Sequence, residues 1–363
     1  MCLLRCSVRC NLIFCTSHLT YVEEYYSHGA DDETFGVELT HLPSLQSITF
    51  DLTGSDLPWR ILKRCLQLTS ATSISLIQRL CRARTDPYPE DEIAIIQSRL
   101  KHFSYARNMW RMITNDPRSS FNMALDVIIS YLEEIPFDTR CFSPLIFTSS
   151  RTLESLDFPF ESAPLQQMAH ISWPNLRRLT LRGTVHDERQ VQYLREFLTG
   201  TLLLTELALE IAPVVGASRV QILRPQTEDE ISLQLKSLTI AYPDPHDLIF
   251  SAVGKRLQHL SLTDYPPLYY FRAATVLPGR WAAPVLSSSE CLAILERMSL
   301  NRLTSLALVY VWDEAEDDLL RYITQGEALP QLSHLELHRY RQVPQEVVPC
   351  VRLFTFHRCL LST

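Results

Sequence analysis

The chain has 363 residues, of which 46% are hydrophobic and 21% are charged, and its formal net charge at pH 7 is −7. This composition is typical of a globular protein, and the negative charge disfavours nucleic acids and anionic membranes as main partners. The glycines are far apart, with Gly29 and Gly36 as the closest pair. Glycine-rich motifs that bind phosphates or dinucleotides, and nucleophile elbows, are therefore excluded.

The N-terminal segment, residues 1–41, is predicted to form a cap or a degenerate first repeat. It holds four of the ten cysteines, which could share one helical face: Cys2, Cys6, Cys10 and Cys15. Their spacing differs from that of zinc and iron–sulfur sites, so we interpret them as buried or partly buried free thiols.

Targeting signals are not predicted. Arg5 and Arg9 interrupt the apolar residues of the N-terminus, which argues against a signal peptide. No apolar run reaches the length that a membrane-spanning helix needs, which is about 18 residues. We therefore expect a cytoplasmic or nuclear protein with no membrane partner.

Residues 42–363 contain an internal repeat of the form L-x-x-L-x-L. Five matches consist of leucine alone: Leu176/Leu179/Leu181, Leu204/Leu207/Leu209, Leu257/Leu260/Leu262, Leu303/Leu306/Leu308 and Leu332/Leu335/Leu337. Six more appear when other apolar residues are allowed: Leu45/Ile48/Phe50, Ala71/Ile74/Leu76, Leu100/Phe103/Tyr105, Leu153/Leu156/Phe158, Leu235/Leu238/Ile240 and Val351/Phe354/Phe356. Each match predicts a short strand.

The spacing of these matches is close to the 20–29-residue period of leucine-rich repeats in most intervals. Two intervals are about twice as long. We interpret them as a degenerate repeat near residues 106–152 and an insertion near residues 264–300.

Helices are predicted between the strands. They begin near Asp56, Ser119 or Ser120, Asp187, Ser288, and Asp313 or Glu314. The clearest one is capped by Asp187, carries an apolar stripe through Val191, Leu194 and Phe197, and ends at Gly200.

The predicted fold is therefore an α/β leucine-rich-repeat solenoid, or horseshoe. Parallel strands would line its concave face, and helices would cover its convex face. The middle leucine of each match is expected to be buried between strand and helix. A single unit cannot bury its apolar face alone, so stacking supplies the core.

Several segments resemble a known family. The stretches LPSLQSITF, WPNLRRLTL and SSSECLAILERM followed by LTSLALVY are similar to the leucine-rich repeats of fungal, basidiomycete-type F-box proteins. The resemblance covers about residues 42–361. The Asn or Cys that usually follows each strand appears only as Cys359, while Thr184, Tyr265 and Tyr340 occupy that position elsewhere, so we expect an irregular solenoid.

The resemblance implies substrate recognition for a cullin-type, SCF-like ubiquitin ligase. In that family an F-box binds a Skp-type adaptor and the repeats bind the target protein. Residues 1–41 contain no visible F-box, so adaptor binding is expected only if an F-box lies outside this chain. The alternative is a stand-alone leucine-rich-repeat binding or regulatory scaffold without ligase coupling.

The concave face would carry the residue between the last two apolar positions of each match. Most of these residues are small: Thr49, Ser75, Ser104, Asp157, Thr180, Ala208, Thr239, Ser261, Ala307, Glu336 and Thr355. They could form an adaptable binding floor, or they could simply suit a solvated parallel sheet.

Larger polar groups mark two strands. Arg177, Arg178 and Arg182 would make a basic rung. His334, Glu336 and His338 share one face of another strand near His357, where we favour partner contact over metal binding. The predicted partner-binding residues are Arg178, Thr180, Arg182, His334, Glu336, His338, His357, Tyr269 and Tyr270.

Tyr269 and Tyr270 belong to an aromatic stretch in the predicted insertion. A loop of this kind could contribute to recognition, or it could form a hydrophobic cap over the solenoid. The acidic run from Asp313 to Asp318 is interpreted as the start of a helix, where carboxylates stabilise the helix dipole.

No spacing links a nucleophile, a base and an orienting group, so the sequence predicts no catalytic residues. We expect a protein that is not an enzyme, needs no cofactor or metal, and binds another protein.

Overall fold

Short strands alternate with helices along the chain, which makes the fold α/β. The structure is a computed structural model, and it describes residues 2–5, 10–15, 17–23, 42, 44–52, 57–78, 88–95, 99–107, 121–185, 187–213, 218–224, 233–253, 255–265, 285–325, 328–343 and 346–351. The chain divides into two compact units, Met1–Leu176 and Arg177–Thr363.

The first unit contains seven described strands. They are β1 (Cys2–Arg5), β2 (Cys10–Cys15), β3 (His18–Glu23), β4 (Ser47–Leu52), β5 (Ser73–Gln78), β6 (His102–Arg107) and β7 (Ser155–Pro159). β1, β2 and β3 pair antiparallel, and from β3 to β7 each strand pairs parallel with the next. Its described helices are α1 (Trp59–Leu68), α2 (Glu90–Ile95), α3 (Phe121–Thr148) and α4 (Leu165–Ala169).

The second unit contains eight described strands. They are β8 (Arg178–Val185), β9 (Glu206–Pro213), β10 (Ser237–Ala241), β11 (His259–Thr263), β12 (Leu286–Ser287), β13 (Ser305–Val311), β14 (His334–Val343) and β15 (Glu346–Val351). β8, β9, β10, β11, β13 and β14 pair parallel in that order, and the short β12 pairs parallel with β13. The described helices are α5 (Glu188–Gly200), α6 (Ile249–Ala252), α7 (Ser288–Arg297) and α8 (Glu316–Thr324).

The repeat correctly predicts the strands and their register. Leu179 lies opposite Leu207, and Leu181 lies opposite Leu209, so equivalent positions of neighbouring matches face each other. The same alignment holds along the other parallel pairs within each unit. The period-two alternation therefore sends the same repeat position to the same side of the sheet in every strand.

Only the first residue of the last predicted strand, Val351, is described. Val351 ends β15, which pairs antiparallel with β14, and Phe354 and Phe356 lie outside the described residues. β14 is longer than its predecessors and pairs Val343 with Glu346 on the returning strand. A connection this short makes an antiparallel hairpin, whereas a parallel return needs a long crossover.

The start of most parallel strands repeats one hydrogen-bond arrangement. The carbonyl of the residue just before one strand accepts two hydrogen bonds from the next strand along. One comes from the N–H of the residue just before that next strand, and the other comes from the N–H of its first residue. The Arg177 carbonyl accepts from Thr205 at 2.8 Å and Glu206 at 2.9 Å, and the Thr205 carbonyl accepts from Lys236 and Ser237. The other acceptors of this kind are Ser17, Gln46, Thr72, Lys101, Lys236, Gln258 and Thr304.

A turn before several strands explains the Pro-x-Leu motif. The Leu176 N–H donates to the Trp173 carbonyl, and the Leu332 N–H donates to the Leu329 carbonyl. Pro174 and Pro330 therefore occupy the second position of a four-residue turn, which suits the fixed φ angle of proline. The turn places the first leucine of the repeat, such as Leu176, in the core.

The middle leucines are buried, as predicted. Leu179, Leu207 and Leu260 are each 1% exposed, Leu306 is 0% exposed and Leu335 is 6% exposed. In the first unit, Phe142 of α3 contacts four aromatic rings at centroid distances of 4.5–5.9 Å: Tyr88, Phe103, Tyr105 and Phe158. Packing of strand residues against helix residues thus contributes to the core of the first unit.

Most helix predictions are confirmed in position. The Asp187 side chain accepts from the Arg189 N–H, and α5 runs to Gly200. α7 has its cap one residue earlier than predicted, at Ser287, which forms a capping box with Glu290. α3 continues through Pro136 and Pro144 to Thr148, well beyond the predicted apolar stripe. The described helices include none that is both long and apolar enough to cross a membrane.

The N-terminal cysteines do not share a helical face. Cys2 belongs to β1, and Cys10 and Cys15 begin and end β2, so the expected helix is wrong; Cys6 lies outside the described residues. The segment that follows Cys10 reads Asn-Leu-Ile-Phe, and aromatic and β-branched residues favour strands.

Tyr340 occupies the position of the missing Asn and is buried. Its hydroxyl donates to a carboxylate oxygen of Asp264, 76 residues earlier in the chain, at the end of β11. The tyrosine thus makes a bond across β13 that a short amide side chain could not reach.

Residues 218–224, which we name the strap, replace a helix in the described part of the β9–β10 connection. Asp247 is 2% exposed, and its carboxylate accepts from the N–H groups of Ile222, Leu223 and Ile249. The Arg195 side chain of α5 donates to the Ile222 carbonyl at 2.9 Å. The strap is therefore bound on both sides.

The strap is also bound at its start by an ion pair. Arg219 donates to both carboxylate oxygens of Glu290, at 2.6 and 2.8 Å, and to the Val285 carbonyl at 3.2 Å. Burial pushes the pKa of Glu290 upward, but bonds from Arg219 and the Ser287 N–H outweigh this effect, so the pKa lies below its usual value.

We expect the coupling between Arg219 and Glu290 to depend on pH. Because the folded-state pKa of Glu290 is lowered, the stabilisation is present above the ordinary pKa of glutamate and is lost as pH falls through the folded-state value. A double-mutant cycle with Arg219→Met and Glu290→Gln, measured by urea unfolding, should give about 1–2 kcal/mol at pH 7. Equal coupling at pH 7 and at pH values well below the ordinary pKa of glutamate would contradict the assignment.

Candidate interaction surface

The exposed sheet face of the second unit consists of side chains that alternate with the buried leucines on β8–β11, β13 and β14. Its middle row is unbroken in register: Thr180, Ala208, Thr239, Ser261, Ala307 and Glu336. One step toward the strand starts is a second row, Arg178, Glu206, Ser237, His259, Ser305 and His334. The face is mostly polar and, apart from His259, carries its larger polar groups at its two ends.

Two of the arginines predicted to form a basic rung, Arg178 and Arg182, are paired with glutamates. The Arg182 Nε atom lies 2.5 Å from Oε2 of Glu210, and the Arg178 Nε atom lies 3.8 Å from Oε2 of Glu206. Arg177 precedes β8, so it does not take part in the alternation that places the other two arginines on the face. β8 and β9 therefore present two arginine–glutamate pairs, not an excess of positive charge.

The opposite end of the face carries the predicted His–Glu–His group. His334 is exposed, and the imidazole Nε2 atom of His338 lies 2.7 Å from Oε1 of Glu336. All three residues alternate along β14, which places them on one side of the strand. Within the described part of the chain, no group of three or more His, Cys, Asp or Glu residues has a geometry that could hold a metal ion.

The remaining predicted residues fall in different places. Thr180 lies between the two arginines on β8, as predicted. Tyr269, Tyr270, His357 and Thr355 lie outside the described residues. Thr49, Ser75, Ser104 and Asp157 form the corresponding row in the first unit, where the Ser104 hydroxyl donates to Asp157 at 3.2 Å.

Glu206 and Glu210 are the residues that the sequence reasoning missed. They occupy the same repeat positions on β9 as Arg178 and Arg182 do on β8. Aligning the two repeats would have revealed them, because directly opposite residues of opposite charge attract across a sheet.

The acidic residues within 313–318, which extend into the first turn of α8, include two that make local contacts. Asp313 accepts from the Ala315 N–H at 2.9 Å and from the Ser289 hydroxyl at 2.7 Å. Burial pushes the pKa of Asp313 upward, but its bonds to Ser289 outweigh that effect and lower the pKa. Glu316 contacts both Tyr310 and Arg339. These contacts agree with a structural role at the helix start.

We expect the Arg182–Glu210 pair to contribute little to stability. Both side chains are partly exposed, at 37% and 19%, and exposed pairs typically contribute about 0.2–1 kcal/mol. A double-mutant cycle with Arg182→Gln and Glu210→Gln, measured by urea unfolding in low and high salt, should give a coupling in this range that weakens with salt. A coupling above about 2 kcal/mol would contradict this expectation.

Comparisons with known proteins do not assign the chain to a family. The chain matches no model of a known protein family, and a search of curated proteins finds no significant match.

Proposed function

We propose that the chain is a leucine-rich-repeat solenoid that works as a protein-interaction module, with the exposed sheet face of the second unit as its binding surface. The observation that carries this proposal is the unbroken row from Thr180 to Glu336, in which four of the six residues are polar and which six parallel strands hold in register. Aligned polar side chains on a rigid sheet are how repeat proteins bind their partners.

The local geometry supports the repeat assignment. Most described repeats begin with a carbonyl that accepts two N–H groups of the next repeat, and the middle apolar residue of the repeat is buried. A structure assembled from such units presents the same repeat position again and again on one surface, which favours binding of an extended partner.

We further propose that the bound protein is a target for a cullin-type ubiquitin ligase, because of the resemblance to fungal F-box proteins. The alternative is a stand-alone binding or regulatory scaffold. An F-box encoded in frame upstream of Met1 would favour the ligase role, and its absence would favour the scaffold. With the 363-residue chain alone, we expect no recovery of a Skp-type adaptor in a pull-down.

The binding surface is tested by adding a bulky charge to the middle row. Thr239→Arg and Ser261→Arg should abolish recovery of a specific partner from an extract of the source cells. Gln192→Arg, on the exposed side of α5, is the matched control and should leave recovery unchanged. Thermal unfolding verifies that all three variants are folded. Loss of the partner with the α5 variant alone would refute the assignment of the binding surface.

A further inference from the structure

The exposed sheet face of the second unit has one unbalanced charge. Among its described side chains are two arginines and three glutamates, and Arg178 and Arg182 are paired with Glu206 and Glu210. With neutral imidazoles, the formal charge of these groups is −1. The carboxylate that remains without a described arginine or lysine partner is Glu336, whose hydrogen bond goes to the imidazole of His338.

Glu336 is open to a binding partner. Its side chain is 39% exposed, and its neighbour on β13 is the small Ala307. A cation brought by another molecule could therefore reach the carboxylate from the exposed side of the sheet.

We propose that the occupant of this face is an extended segment of a partner protein that places a lysine or arginine side chain on Glu336. This inference rests on the proposed function. The segment crosses the strands along the middle row, where the hydroxyl groups of Thr239 and Ser261 bond to its polar groups. Six strands at a spacing of roughly 4.8 Å span about 24 Å, which about seven extended residues cover.

The charged pairs at the other end of the face, on β8 and β9, disfavour an acidic partner. An acidic side chain near Thr180 would have to compete with Glu206 and Glu210 for the two arginines. Charge complementarity in interfaces mainly sets specificity and association rate. Selection by this face should therefore favour one basic residue over neutral and acidic alternatives.

The test is selection of peptides from a random-peptide phage library on the immobilised full chain. We expect the selected peptides to be enriched in Lys or Arg at one position and to bind roughly three- to tenfold more weakly to Glu336→Gln. Glu206→Gln is the matched control. It removes a carboxylate that is already paired, so it should retain the preference for a basic residue and gain binding to acidic peptides through Arg178.

The outcomes separate this inference from the proposed function. If Thr239→Arg abolishes peptide binding but the wild-type selection shows no basic preference, or Glu336→Gln binds equally well, the inference is overturned and the interaction surface stands. If the selected peptides bind Thr239→Arg and Ser261→Arg as tightly as the wild type, the proposed surface itself is overturned.

Discussion

Replacing Leu306 with alanine should lower the free energy of unfolding by about 2–5 kcal/mol. Leu306 is 0% exposed and lies opposite Leu260 on β11 and Leu335 on β14. The substitution removes apolar contacts and leaves a cavity that neighbouring strands can fill only in part. Urea unfolding measures the loss. Ser305→Ala, on the exposed side of the same strand, is the control and should change stability by less than about 0.5 kcal/mol.

The loss should be local before it is global. Repeats contact mainly their neighbours, so hydrogen exchange in Leu306→Ala should speed up first in β11, β13 and β14. Equal acceleration in every strand of the second unit would contradict the repeat description.

Replacing Asp247 with alanine should be comparably destabilising, by about 3–5 kcal/mol, for a different reason. The carboxylate accepts from Ile222 at 2.6 Å, Leu223 at 3.0 Å and Ile249 at 2.8 Å, and it is almost completely buried. Removing it leaves three buried N–H groups without an acceptor. Urea unfolding measures the total, and hydrogen exchange should show the strap opening first.

Asp247→Asn is the informative control. Its amide oxygen can still accept from Leu223 and Ile249, while its NH2 group would face the Ile222 N–H. The expected loss is therefore smaller, about 1–2 kcal/mol. If Asp247→Ala cost no more than the Ser305→Ala substitution, the strap would not be held by this carboxylate.

The parallel strands could be predicted because each carries its own signal. An apolar residue at the middle position, such as Leu207 or Leu260, must be buried, and a shift of one residue would send it to solvent. Local periodicity therefore determines both the strand and its register. The cap of α5 at Asp187 was predictable for a similar reason, since the capping residue and the apolar stripe lie within one short segment.

The missed features depend on residues far apart in the chain. The partners of Asp247 lie up to 25 residues away, and those of Arg219 lie 66–71 residues away. No local pattern marks such contacts. The exposed sheet face was predicted in position but not in charge, because Arg178 and Arg182 were considered without the glutamates of the following strand. The antiparallel β15, which lies before the last predicted strand, was not predicted.

The double hydrogen bond at the start of most parallel strands allows the connections between strands to differ in length. Adjacent repeats place equivalent residues 28 positions apart at Arg177 and Thr205, 46 apart at Gln258 and Thr304, and 53 apart at Ser104 and Asp157. Lengthening a connection about twofold costs only about 0.6 kcal/mol in loop entropy. Insertions between strands therefore leave the sheet unchanged as long as the two N–H groups still donate to the same carbonyl. Such insertions can add new surface without altering the strand pairing.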